Sequence, residues 1–133
     1  ECLSRPLYGF ENTEHTINNE GPYAFYYHNK IYLAYSGGDA RGYLYAIGML
    51  TANDGDDLCD LSVWEKAKTP IASFATIPGE YGPGHNSFFW DRDQNLWIAY
   101  HAVTSFEEKI VSSGMRRVYF EQDKTPRFDV IVE

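Results

Sequence analysis

The chain comes close to repeating itself. Ile31-Tyr32-Leu33-Ala34-Tyr35 returns as Leu96-Trp97-Ile98-Ala99-Tyr100, an aliphatic, aromatic, aliphatic, Ala, Tyr pattern both times. Each copy follows a polar turn, His28 to Lys30 in one and Asp91 to Asn95 in the other. Before each turn stands an aromatic run, Tyr23 to Tyr27 and Phe88 to Trp90, and before each run a Gly-Pro pair. The copies are offset by 65 residues at the pentapeptide and by 61 at the Gly-Pro, a difference the longer second turn is expected to absorb for the most part. Long internal periods belong to arrays such as propellers and solenoids.

The aromatic and β-branched runs predict strands over Tyr23–Tyr27 and Ile31–Ser36, joined by a hairpin at His28-Asn29. A Gly-rich loop and a third strand, Tyr43–Leu50, follow. Asn53-Asp54-Gly55 marks a turn. Leu61–Lys66 reads as one helical turn and a short outer strand near Trp64. A proline-bearing loop spans Thr69–Gly84. The second hairpin is His85–Trp90 with Leu96–Ala102, then a loop over Val103–Ser113 and a last hairpin of Met115–Glu121 with Arg127–Val132. Residues 1–19 read as irregular, with a short strand near Leu7–Phe10. The expectation is an all-β chain with two groups of about four antiparallel strands, at about 20–70 and 82–133, each the size of a propeller blade. Two blades cannot close a ring, since propellers usually have about four to eight. The chain is therefore expected to be part of a larger whole, completed by a missing half or by self-association, with sticky edges when alone.

With 133 residues the chain can bury the core of one domain. Its aromatic content of 17% sets it apart from disordered chains. A net charge of −8 argues against nucleic acid. No apolar run reaches membrane-spanning length. Cys2 and Cys59 have no zinc spacing and are too few for a disulfide scaffold, so two unpaired thiols are expected. The first residue is Glu1 rather than Met, and the absence of a leader says little about compartment. An acidic, aromatic surface suits neutral polyhydroxylated ligands, which stack on rings and hydrogen-bond to carboxylates.

Two residues stand at the heads of the repeated strand pairs. Glu20 precedes Gly21-Pro22, and His85 follows Gly82-Pro83-Gly84. In a propeller the first strand of each blade lies nearest the axis, so both are expected to face one central funnel. A carboxyl group there, flanked by rings, loses solvation and keeps its proton to higher pH, as a general acid must. The alternative for Glu20 is a solvated loop glutamate. His85 reads equally as a metal ligand, a hydrogen-bonding group on the funnel floor or a satisfied structural histidine. His101 follows the second Ala-Tyr where Ser36 follows the first. Arg116 and Arg117 share a strand, so alternation sends them to opposite faces, one of them a candidate for the axis. Asp91-x-Asp93-x-Asn95 opens like a calcium loop but lacks Gly at position six and an acid at position twelve, which favours a hairpin turn. Ser36-Gly37-Gly38 lacks the frame of a nucleophile elbow, and the Gly37, Gly38, Gly42 cluster lacks the phosphate-loop Lys.

With these motifs in place the chain resembles the glycoside hydrolases of family 43. The likeness rests on Asn19-Glu20-Gly21-Pro22, Tyr32 to Ser36, Leu61 to Lys66, Tyr81 to Phe88 and Tyr100-His101-Ala102, in matching order and spacing over nearly the whole chain. The resemblance implies a partial five-bladed β-propeller, the C-terminal part of a glycosidase domain. It implies inverting hydrolysis of arabinose- or xylose-containing side chains and oligosaccharides, with Glu20 as general acid. It places His85 near a central calcium or its waters, and it suggests Arg116 as a substrate contact. The family's aspartate base and its second, acid-tuning aspartate both lie upstream of the Glu-Gly-Pro. Only 19 residues precede Glu20, and Glu11 and Glu14 stand in the wrong context to replace them. The segment alone is therefore expected to be inactive. A non-catalytic sugar-binding half-propeller and a calcium-stabilised structural propeller remain as alternatives.

Overall fold

The computed structural model describes residues 2–130. Among them are eleven strands and two single turns of 3-10 helix. The N-terminal segment holds a turn at Gly9–Glu11 and a small hairpin, β1 (Asn12–Thr13) with β2 (Thr16–Ile17). The strand expected near Leu7–Phe10 is absent, because the Leu7 and Tyr8 amides donate to the Glu11 carboxylate instead of to a neighbouring strand. The first main sheet runs β3 (Asn19–Tyr27), β4 (Lys30–Gly37), β5 (Ala46–Asn53), β6 (Glu65–Lys66), antiparallel throughout. The second runs β7 (Tyr81–Trp90), β8 (Leu96–Ser105), β9 (Ile110–Arg117).

Local chemistry explains the corners. His28 and Asn29 both have positive φ, 44° and 64°, the primed turn whose twist suits a two-residue hairpin. The Asp91 carboxylate organises the longer turn. It accepts from the amides of Asp93 and Asn95, the Asn95 side chain and the Trp97 indole. These bonds hold its pKa down at about 2, and the stretch is a hairpin turn. Asp60 caps the turn at Leu61–Val63, and β6 follows as the short outer strand.

Three boundaries differ from expectation. The third strand starts at Ala46, not Tyr43, because the Tyr43 carbonyl accepts from Gly82 and so belongs to the join with the second sheet. The loop expected over Val103–Ser113 is mostly strand. β8 runs on to Ser105, and β9 begins at Ile110 and pairs with it through Arg117. The last hairpin is reduced to β10 (Tyr119–Phe120) with β11 (Pro126–Arg127). It folds back on the first sheet, where Phe120 stacks on Tyr27 at 3.6 Å and the Tyr32 hydroxyl donates to the Lys124 carbonyl at 2.7 Å. The expected strand's residues 131 and 132 lie outside the described residues. The second group thus has three strands rather than four.

The core lies between the sheets. Tyr32, Ala34, Ile47 and Met49 meet Phe88, Ile98 and Tyr100, all nearly or fully buried. Phe25 links them, 4.8 Å from Tyr32 and 4.5 Å from Phe88, centroid to centroid. The faces that meet are not equivalent. Ala34 matches Ala99 in the repeat, yet Ala34 is in the core while Ala99 points away from it beside Trp97 and Met115. One blade's Ala face packs on the next blade's Tyr face, and this head-to-tail stacking is the contact that builds rings. The fold is all-β, part of a β-propeller.

Phe88→Ala is expected to lower stability by about 3–5 kcal/mol. Phe89→Ala, on the open face, should change it by about 0.5 kcal/mol or less. Urea midpoints at unchanged slope are the measurement.

Candidate active site

Glu20 lies in β3 opposite Ser36, just before a β-bulge between Glu20 and Tyr23. Gly21 supplies the positive φ, 55°, that the bulge needs. In β7 two successive bulges flank Gly84, with Gly82 at φ 56° and His85 at φ 51°. A non-glycine residue in that region is strained, and such strain gathers at functional sites. Gly84, not His85, faces His101 as Glu20 faces Ser36, so the equivalence of Glu20 and His85 is off by one residue. The bulges also account for the offset. Tyr23 faces Ala34 and Ser87 faces Ala99, so three of the four extra residues enter between the Gly-Pro and these pairs, and only one enters at the turn.

The two heads converge. The His85 ring lies over Gly21, so a Cβ added there would sit 3.5 Å from its Nδ1. The His85 amide donates to Oγ of Ser36 at 2.8 Å, and Ser36 is fully buried. Glu20 is half-buried and His85 exposed. Beneath them is a residue the sequence reading missed. Tyr45, fully buried, donates its hydroxyl to Oε1 of Glu20 at 2.7 Å. Its ring occupies space that only a glycine at position 84 leaves, since a Cβ there would come within 2.0 Å of Tyr45. The His101 ring stacks on Tyr45 at 5.7 Å and 10°, and the His85 ring lies 6.4 Å beyond it. Burial first, then the neighbouring His85, lowers the pKa of His101 and favours its neutral form. No local signal marks Tyr45, because its partners come from other strands. Asn86, beside His85, is buried and its amide has no protein partner.

Arg116 is engaged elsewhere. Its guanidinium donates to Glu80 at 2.9 Å and to the Tyr100 hydroxyl at 2.9 Å, while Tyr100 donates to Glu80 at 2.6 Å. Alternation does send Arg117 the other way, over the Tyr119 ring. No hydrogen bond or ion pair among the described residues joins Arg116 to Glu20 or His85. Its guanidinium clamps Glu80 to β9.

A matching cluster backs the first sheet. Glu11 is fully buried and pairs with Lys66. It also accepts from Tyr35 at 2.8 Å and Asn19 at 2.8 Å. Burial alone would raise its pKa, but Lys66 and the donors around it outweigh that and the net shift is down. Glu14 accepts from the amides of Tyr43 and Leu44. Neither acid contacts Glu20. Among the described residues no three His, Cys, Asp or Glu side chains gather into a metal shell. Calcium takes six to eight oxygen ligands. His85 offers one imidazole toward such a shell. Cys2 and Cys59 are exposed and free.

Known proteins resemble this chain in sequence and fold. The profile of Glycosyl hydrolases family 43 matches residues 4–126. An extracellular exo-alpha-(1->5)-L-arabinofuranosidase of Streptomyces avermitilis is 30% identical over 138 residues, covering 98% of this chain and 28% of that protein. One of the same description from Streptomyces chartreusis is 38% identical over 101 residues, covering 75% and 30%. The crystal structure of alpha-L-arabinofuranosidase from Lactobacillus brevis matches with a TM-score of 0.82 at 29% identity, covering 95% of this chain and 41% of that one. The chain spans less than a third of the length of the two Streptomyces relatives.

Two outcomes follow from this geometry. Gly82→Ala should destabilise more than Gly79→Ala. Both have positive φ, which costs about 1–2 kcal/mol, but only at Gly82 would the Cβ meet backbone, the Gly42 carbonyl at 2.3 Å. Paired thermal melts test it. Glu11, whose folded pKa is depressed, contributes stability fully above its unfolded value, and that contribution fades as pH falls through the folded value. Glu11→Gln should flatten that acid-side slope and cost about 3–5 kcal/mol at neutral pH, read from denaturant curves against pH.

Proposed function

The chain belongs to glycosyl hydrolase family 43, and from that membership we propose that the protein carrying it hydrolyses O-glycosidic bonds in arabinose- or xylose-containing oligo- and polysaccharides by inversion, with Glu20 as general acid. The relatives named for arabinofuranosidase activity favour an arabinofuranosyl unit at the non-reducing end. The observation that carries the reading is the placement of Glu20. It is a half-buried carboxyl on a bulge at the head of β3, beside His85 of the next blade, with one oxygen held by a buried phenol.

The chemistry follows from one carboxyl group and its surroundings. Glu20 gives its proton to the leaving glycosidic oxygen as the bond to the anomeric carbon breaks. Water attacks the opposite face, activated by a second carboxylate about 6.5–9.5 Å away. Glu11 is locked in its ion pair and Glu14 on two backbone amides, so that base is assigned to a part of the protein outside these 133 residues. His85, exposed and with its ring over Gly21, is assigned a place against the sugar.

The isolated chain should show no appreciable turnover of nitrophenyl arabinofuranoside, and the complete protein should turn it over. Glu20→Gln in the complete protein should lower kcat/KM on arabino-oligosaccharide about 10²–10⁴-fold, and NMR of the first-formed sugar should show the inverted anomer. Turnover by the isolated chain that Glu20→Gln abolishes would overturn the need for a second part. A complete protein indifferent to Glu20→Gln would overturn the role of Glu20.

A further inference from the structure

We propose that Tyr45 is a positioning residue for proton delivery: its phenol holds Oε1 of Glu20, so that Oε2 is the oxygen that carries the proton and hands it to the leaving group. The inference rests on the reading of Glu20 as general acid.

Three features fix Tyr45 in place. Its ring is fully buried in the gap left by Gly84 and is faced by His101. Its hydroxyl donates to Glu20 and lies beside Ser36. Ser36 is held in turn by the His85 amide. Burial, opposed by Ser36 and reinforced by Glu20, pushes the phenol pKa well up. The phenol therefore stays the donor and Oε1 the acceptor at any working pH. An oxygen that accepts such a bond is a poor place for the acid's own proton. That proton goes to Oε2. The motif Gly-Pro-Gly-His thereby acquires a second use, since its last glycine makes room for the residue that aims the acid. The other titratable groups around Glu20 are His85 on β7 and His101 on β8, with the Glu11–Lys66 pair behind Asn19.

The test uses the complete protein and its Tyr45→Phe variant, with melting temperatures to establish folding. A bond from a neutral donor to a carboxylate favours the ionised form. Its loss should move the alkaline limb of the kcat/KM profile upward by about one pH unit. Turnover of arabino-oligosaccharide should fall about 10–100-fold. A dinitrophenyl arabinofuranoside, whose leaving group needs little protonation, should lose less than threefold, and a merely structural defect would lower both alike. Should Tyr45→Phe fail to fold, 3,5-difluorotyrosine at position 45 keeps the shape and strengthens the donor, and the alkaline limb should then move down. Glu20→Gln runs alongside. If it spares the oligosaccharide, the reading of Glu20 fails. If it abolishes that turnover while both Tyr45 replacements leave the limb and the leaving-group ratio unchanged, the role of Tyr45 alone is overturned.

Discussion

Each blade is fastened by the same device: a buried tyrosine that crosses a glycine on the next strand and donates to a carboxylate brought in from before the blade. In the first sheet Tyr35 lies across Gly48 and bonds Glu11, which Lys66 neutralises. In the second, Tyr100 lies across Gly114 and bonds Glu80, which Arg116 neutralises. A buried carboxylate without a cation would be costly, and a buried phenol without an acceptor nearly so. With both present each cost is met. The clamp holds the preceding segment down on the sheet, and through Asn19 the first clamp reaches the residue beside Glu20. The position of Glu20 therefore depends in part on the Glu11–Lys66 ion pair.

The repeat was legible because it is written in side chains. Ala-Tyr recurs since one face must be thin where blades stack and the other must carry the phenol. The polar turns, the Asp60 cap and the convergence of Glu20 with His85 were open to the same reading. What stayed hidden is written in backbone or in distant partners. The glycines that mark these bulges read equally as turn residues, so the extra residues of the second copy are expected at the turn when most sit around Gly84. Ile110 and Val111 are exposed, and they form strand by pairing with β8 rather than by burying themselves. The partners of Arg116 and Tyr45, Glu80 and Glu20, lie 36 and 25 residues away, so neither pairing shows in the local sequence.

Head-to-tail stacking also decides which faces remain open. The face of the second sheet that bears Phe89, Trp97, Ala99 and Met115 corresponds to the face of the first that bears Phe25, Tyr32 and Ala34. In the first sheet that face is the core, whereas in the second Phe89 and Met115 are 41% and 63% exposed. The same residue pattern is thus satisfied once and left waiting once. The opposite face of the first sheet, at Leu33, Tyr35 and Leu50, borders a hollow of about 200 Å³ with Leu3, Ser4 and Glu20. Both ends of the two-blade stack therefore present surfaces shaped by the repeat to take another blade. Glu20 borders the hollow at one and His85 lines the open face at the other. Glu20 and Tyr45 come from the first blade and His85 and His101 from the second, so the geometry of the site depends on how blades stack as well as on each sheet.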